Sequence, residues 1–189
     1  DSYEKVIVLE DDHITSPYFL KFMNDALNFY EKKNEVACVS GYIYPVKDKL
    51  PETFFMKGAD CWGWATWKRA WDTFEKDGNK LLNELKQEKL TSGFDFNNTY
   101  DYTKMLEDQV NGKNNSWAVR WYASCFLKNM YCLYPGISLV QNIGVDGSGT
   151  HSTSSDAWNV TLSEKEISVN EIPVEENNAA KNATRLPTR

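Results

Sequence analysis

Nowhere in the 189 residues does an apolar run approach the ~18 needed to cross a bilayer, and the opening residues, Asp1-Ser2-Tyr3-Glu4-Lys5, lack the apolar centre of a signal peptide. The chain is therefore expected to be soluble. Positive charge is also short, with 21 Lys and Arg against 27 Asp and Glu and a formal net charge of -6. Nucleic acid or an anionic membrane surface would call for clustered cations, so neither is an expected partner. Only four cysteines occur, Cys38, Cys61, Cys125 and Cys132, without CxxC spacing. Cys38 and Cys125 fall inside apolar runs where a small hydrophobe would serve, so the set reads as reduced, buried thiols. Histidine is scarcer still, with His13 and His151 the whole supply. A two-metal phosphoesterase normally needs more Asp and His ligands than that. Asn-x-Ser/Thr sequons begin at Asn97, Asn114, Asn159 and Asn182, but an Asn-rich chain produces such triplets by chance and they do not establish secretion.

What the sequence does have is apolar and aromatic content, 41% and 14%, enough for one buried core. Val6-Ile7-Val8-Leu9 is a continuous β-branched and apolar run that predicts a central strand covered on both faces. Ser16 and Pro17 then read as the cap and first position of a helix running to about Lys32, with Leu20, Met23, Leu27 and Tyr30 as its core stripe. Val36 to Ser40 predicts a second strand, parallel to the first through the helical crossover. Phe54-Phe55-Met56 predicts a short strand, and the spacing of Trp64, Trp67 and Trp71 predicts a helix with these rings on one face. Further helices are expected with Leu81, Leu82 and Leu85 facing in, over Tyr102 to Val110, and from Trp117 to Tyr131. The main domain is expected to span residues 1–155. Residues 156–189 read as an extended arm anchored only by Ile167, Val169, Ile172 and Val174, with 177–189 poorly ordered.

Candidate chemistry begins at Glu10, Asp11 and Asp12, which follow the first strand where open α/β sheets bind ligands. Three adjacent acids repel one another, and a divalent cation relieves that repulsion. Carboxylate oxygens suit Mg²⁺ or Mn²⁺, which also take waters and substrate phosphate oxygens. The competing reading is a solvated acidic turn ahead of a helix, whose positive end attracts carboxylates. In Trp62-Gly63-Trp64 the glycine permits close backbone approach and the indoles can stack on a sugar's apolar face. Core packing is the alternative for the tryptophans, and Trp62 is the better binding candidate. Arg120, between Trp117 and Trp121, suits either a phosphate or a structural ion pair. Glu107 and Asp108 are acids from which a general base could be drawn, or simply a solvated helix face. His151, at the end of the Gly-punctuated loop from Asn142, is a candidate metal ligand.

Together, Val-Ile-Val-Leu-Glu-Asp-Asp at 6–12, Trp-Gly-Trp at 62–64, Ser-Trp-Ala-Val-Arg-Trp at 116–121 and Gly-Ser-Gly-Thr-His at 147–151 resemble bacterial family 2 type sugar transferases. The layout is also similar to the N-acetylglucosaminyltransferase I group, whose acidic triplet closes a strand of a GT-A fold. The resemblance spans roughly residues 3 to 155. It implies an α/β fold with a mixed, mostly parallel sheet flanked by helices, here without the N-terminal βαβ part that holds the nucleotide base. Metal-dependent, inverting sugar transfer from a nucleotide-sugar donor to a glycan or other hydroxyl acceptor is the implied activity. A non-catalytic carbohydrate-binding module is the alternative. By the resemblance Asp12 coordinates Mn²⁺ or Mg²⁺, Glu10 and Asp11 contact the nucleotide ribose or donor sugar, and Asp108 is the base, while His151 as a second metal ligand, Arg120 as a donor contact and Trp62, Gly63 and Trp64 as substrate contacts come from the reading of the residues themselves. It further implies a cytoplasmic setting, peripheral to the inner membrane in the full-length protein. Without the preceding segment, tight nucleotide binding is not expected, and the first strand is left with an open edge suited to pairing with a second copy.

Overall fold

The structure, a computed structural model, describes residues 3–144 and 158–184. Its centre is a mixed five-stranded sheet in the order β1-β5-β3-β6-β4, formed by β1 (Lys5–Val8), β5 (Trp64–Trp67), β3 (Val36–Ser40), β6 (Tyr131–Pro135) and β4 (Thr53–Met56). Only β3 and β6 pair in parallel; the β1·β5, β3·β5 and β4·β6 pairs are antiparallel. This corrects the expected mostly parallel sheet. β1 and β3 do run the same way, as a crossover through α1 (Phe19–Phe29) requires, but β5 is inserted between them, antiparallel to both.

β1 is consequently an edge strand and not a central one, with Val6 48% exposed. A β-branched apolar run reports strand propensity, and burial on both faces does not follow from it. The tryptophan reading also changes, because Trp64 to Trp67 is strand and only Lys68–Trp71 is helical, forming α2. In a strand, residues three apart face opposite ways. Trp67 therefore joins the layer under α1, while Trp64 joins the layer on the other face.

Phe19, Phe22, Met23, Ala26 and Leu27 of α1, with its C-cap Tyr30, pack on Val36, Val39, Phe55, Ala65, Trp67 and Leu133 of the sheet. Leu20, expected in this stripe, is 61% exposed. The opposite face is covered by α3 (Gly78–Gln87), α4 (Thr91–Phe94), α5 (Tyr102–Val110) and α6 (Trp117–Leu127). α3 buries Leu81, Leu82 and Leu85 and is capped by Asp77, whose side chain accepts from the Asn79 and Lys80 amides. Alternation along β3 breaks at a bulge between Val36 and Cys38, so Ala37 and Cys38 both serve the α3–α6 layer while Val36 and Val39 face α1.

Residues 158–184 are integrated into the body. Ile167 is buried, Val169, Ile172 and Val174 pack beside it under α1, and Tyr30 donates its hydroxyl to the Asn170 carbonyl at 2.7 Å. Residues 177–184, expected to be poorly ordered, instead form α7 (Asn178–Ala183), capped by Asn177 and packed on β4 through Ala180. An Asn/Ala-rich segment carries a weak propensity signal, and tertiary contact decides its state. All four cysteines are unpaired; three are buried and Cys61 is half-buried. Among the described residues no helix is long and apolar enough to cross a membrane.

Candidate metal centre and its aromatic wall

Sheet direction determines what meets the acidic residues. The carboxyl end of β1 lies beside the carboxyl end of β3 and the amino end of β5, because Trp64 pairs with both Val8 and Ser40. Glu10, Asp11 and Asp12 therefore leave the sheet at the same end as Trp62 and Gly63. Gly63 adopts φ +57°, its carbonyl accepts from the Gly41 amide at 2.7 Å, and a Cβ there would stand 2.5 Å from Val140 Cγ2. Its small size thus serves backbone conformation and packing.

After the acidic turn the chain forms β2 (His13–Thr15), which pairs with β7 (Val140–Asn142) in a separate ribbon. The Ile143 amide donates to the Asp12 carbonyl at 2.9 Å, and His13 lies opposite Asn142. This ribbon turns the His13 ring inward, with its side chain fully buried, while Glu10 and Asp12 stay 47% and 37% exposed. His13 Nε2 is 3.6 Å from Asp12 Oδ1 and 3.8 Å from Glu10 Oε2. One ligand atom from each of Glu10, Asp12 and His13 falls within 4.8 Å of the others. Asp11 is exposed and is not part of this group.

The local electrostatics suit a cation. Burial, then the charges of Asp12 and Asp11, push the Glu10 carboxyl above its ordinary range. Burial lowers the His13 imidazole despite the opposing pull of Asp12 and Asp11, favouring the neutral ring that a metal requires. Asp12 Oδ1 is buried without a hydrogen-bond partner, and Gly144 lies so close that a Cβ there would clash with Asp12 Oδ2. Two carboxylates and an imidazole match the donor preferences of Mn²⁺ and, less well, of Mg²⁺. His13 Nδ1 accepts from the Glu10 amide at 3.3 Å, so ligation through Nε2 needs the ring proton on Nδ1 and exchange of that long hydrogen bond.

Trp62 is half-buried beside this centre, with its ring 6.4 Å from that of His13. It meets Tyr42 at 4.8 Å and Trp158 at 6.4 Å, and Tyr44 touches both Tyr42 and Trp158, at 5.5 and 6.1 Å. Trp64 does not join this wall. It is 3% exposed and packs among Trp71, Trp117 and Trp121, so it belongs to the core.

The other predicted residues lie elsewhere. Asp108 on α5 is ion-paired with Lys104 and Lys113, which hold its carboxyl below the ordinary range and make it a weak base. Arg120 on α6 donates to the Ser116 and Lys76 carbonyls and lies over the Phe74 ring. No contact among the described residues joins either to the acidic turn. His151 lies outside the described residues. His13, Trp158 and Asp60 were not singled out as site residues in the sequence; the adjacency of His13 to three acids was the available signal. A recess of about 600 Å³ between segments 43–52 and 159–167 includes Tyr44, but none of the acidic-turn residues lines it.

Asp60 holds a second unusual carboxylate. Tyr44 donates to its Oδ1 and Tyr134 to its Oδ2, the latter at 2.6 Å, and it has no ion pair among the described residues. Burial raises its proton affinity more than the Tyr134 and Tyr44 hydrogen bonds lower it. The native state then holds this proton more tightly than the unfolded state does. Ionising Asp60 therefore costs stability, fully above the folded pKa and not at all below the unfolded one. The stability of wild type relative to Asp60→Asn should fall as pH rises from about 4 towards neutral. Urea denaturation of both proteins at successive pH values measures this, and a pH-independent difference contradicts it.

No protein-family model matches the chain, and no curated protein matches it.

Proposed function

We propose that this chain carries the metal and acceptor side of a GT-A type, inverting glycosyltransferase that moves a sugar from a nucleotide-sugar donor to a glycan hydroxyl. The observation that carries the reading is the convergence of Glu10, Asp12 and His13 at the carboxyl end of β1, with an unpartnered Asp12 oxygen, beside a half-buried indole. Asp12 and Glu10 would hold Mn²⁺ or Mg²⁺, with His13 completing or orienting the set. A cation bound there supplies charge neutralisation to a leaving nucleoside diphosphate. Ligand carboxylates need their own charge to bind it, and the lowered proton affinity of His13 keeps that ring neutral near pH 7. Trp62 stands beside the site, its ring 6.4 Å from that of His13.

A binding module without turnover is the second reading, favoured by the continuous aromatic wall beside the acids. Calorimetric titration of Mn²⁺ in the presence and absence of UDP-glucose, UDP-N-acetylglucosamine and GDP-mannose separates the two. A transferase predicts metal affinity that rises about tenfold or more with one donor, since donor phosphates complete the coordination sphere. Metal affinity indifferent to all donors at millimolar concentration, where even weak nucleotide binding registers, removes the transferase reading.

A further inference from the structure

Tyr42, Tyr44, Trp158 and Trp62 form a closed circuit of ring contacts, 5.5, 6.1, 6.4 and 4.8 Å in order around it. The two tyrosines are buried, at 1% and 6% exposure, whereas both indoles are only half-buried. The structure thus hides the phenols and leaves the larger, flatter rings in contact with solvent. Trp62 and Trp158 stand at 85° to one another, so they make a corner and not a stack. Trp158 is fixed from behind by its backbone, because its carbonyl accepts the Tyr42 hydroxyl at 2.9 Å.

Asp60 is tied to this corner from two directions. It precedes Trp62 by two residues, and the Tyr44 hydroxyl that it accepts belongs to a ring of the circuit. Tyr42 senses its charge, which adds to burial in keeping that hydroxyl protonated. Asp60 lies deep enough for desolvation to dominate its titration, yet the residue retains some solvent exposure. Its two oxygens offer about four acceptor sites, of which the two phenols and its own backbone amide take three.

We infer that Trp62, Trp158 and Asp60 form a pyranose-binding corner, the indoles receiving apolar C–H faces of the sugar and the Asp60 carboxylate accepting from its hydroxyls. A pyranose offers the two surfaces required, an apolar face and a rim of hydroxyl donors, in one rigid ring. A cationic ligand fits less well, since Asp60 is held by neutral donors in a desolvated position that disfavours its own charge. The corner's role as acceptor subsite rests on the transferase reading, because the His13 ring stands 6.4 Å from that of Trp62 and sets the candidate metal centre beside it. Its role as a sugar site does not rest on that reading.

Tryptophan fluorescence titration with methyl β-D-glucopyranoside, methyl β-D-galactopyranoside, lactose and N,N′-diacetylchitobiose, without metal, tests the corner. Wild type should give a saturable change with at least one of these probes. Trp158→Ala should weaken that binding about tenfold or more, Trp158→Phe less, and Asp60→Asn several-fold, each with an unchanged far-UV spectrum. Trp158→Phe guards against misfolding, because it keeps a ring and the backbone carbonyl that fastens Tyr42. No saturable change with any probe, or full binding by Trp158→Ala, overturns the inference. Saturable sugar binding together with donor-indifferent Mn²⁺ affinity sustains the corner while removing the transferase reading. Donor-dependent Mn²⁺ affinity without sugar binding does the reverse.

Discussion

Asp12→Ala is expected to abolish Mn²⁺-dependent stabilisation of the protein while leaving its metal-free stability unchanged or slightly raised. Asp12 contributes an oxygen to the cluster and carries the buried Oδ1 atom without a partner. Its contribution to the fold is made by the backbone, whose carbonyl accepts the Ile143 amide at 2.9 Å and survives the substitution. Removing its charge also removes one of the repulsions that raise the Glu10 carboxyl. The metal-free protein therefore loses a repulsion and, of side-chain contacts, the 3.6 Å approach to a His13 ring whose charged form burial already disfavours. With metal, stabilisation follows RT ln(1 + [M]/Kd), about 2.7 kcal/mol at a hundredfold excess over Kd. Loss of one of three protein ligands should weaken binding by at least about 100-fold, which cuts that shift to about 0.4 kcal/mol or less at the same metal concentration. Thermal denaturation with and without MnCl2 reads the effect directly. Asp12→Asn keeps the shape and should lose nearly as much. A variant that retains the wild-type Mn²⁺ shift would remove Asp12 from the metal site, and with it the observation on which the proposed function stands.

The acidic residues were readable in the sequence because an apolar run and three adjacent acids are both local signals. α3 and α5 were readable for the same reason, each having a helical period, and β4 was readable as a short apolar run. The place of β5 was not, because Trp64, Trp67 and Trp71 satisfy helical spacing and a four-residue strand offers too little sequence to show period two. That one misreading turned a mixed, mostly antiparallel sheet into an expected mostly parallel one. It also hid why Trp62 meets the acids, which follows from Trp64 pairing with Val8. His13 was passed over as a ligand because its inward orientation depends on Asn142, 129 residues away in sequence, across the β2·β7 ribbon. Trp158 lay in a stretch whose polar composition suggested a detached arm. Its contacts with Tyr44 and Trp62 are long-range, and no local pattern encodes them.

Trp121→Ala should be the most destabilising single truncation, at about 3–5 kcal/mol. Trp121 is fully buried on α6 and meets Trp71 at 5.0 Å, Trp64 at 6.0 Å and Phe74 at 6.4 Å. Truncation removes the largest buried side chain of this layer and leaves a void walled by rigid rings, which collapse poorly into the space. The indole nitrogen of Trp121 has no hydrogen-bond partner, so wild type already bears the cost of burying that donor. Trp121→Phe removes the donor and most of the void at once and should cost less than half as much as the alanine. Urea denaturation of the two variants checks both the size and the ordering, and an alanine variant within about 1 kcal/mol of wild type would contradict the packing argument. The consequence extends to the candidate site through β5. Trp64 rests on Trp121 and pairs with β1 and β3, so it fixes the position at which Gly63 and Trp62 leave the sheet. Near its unfolding midpoint Trp121→Ala should therefore lose Mn²⁺ binding together with its fold, whereas Asp12→Ala loses the metal alone. That contrast distinguishes the residues that build the platform from those that use it.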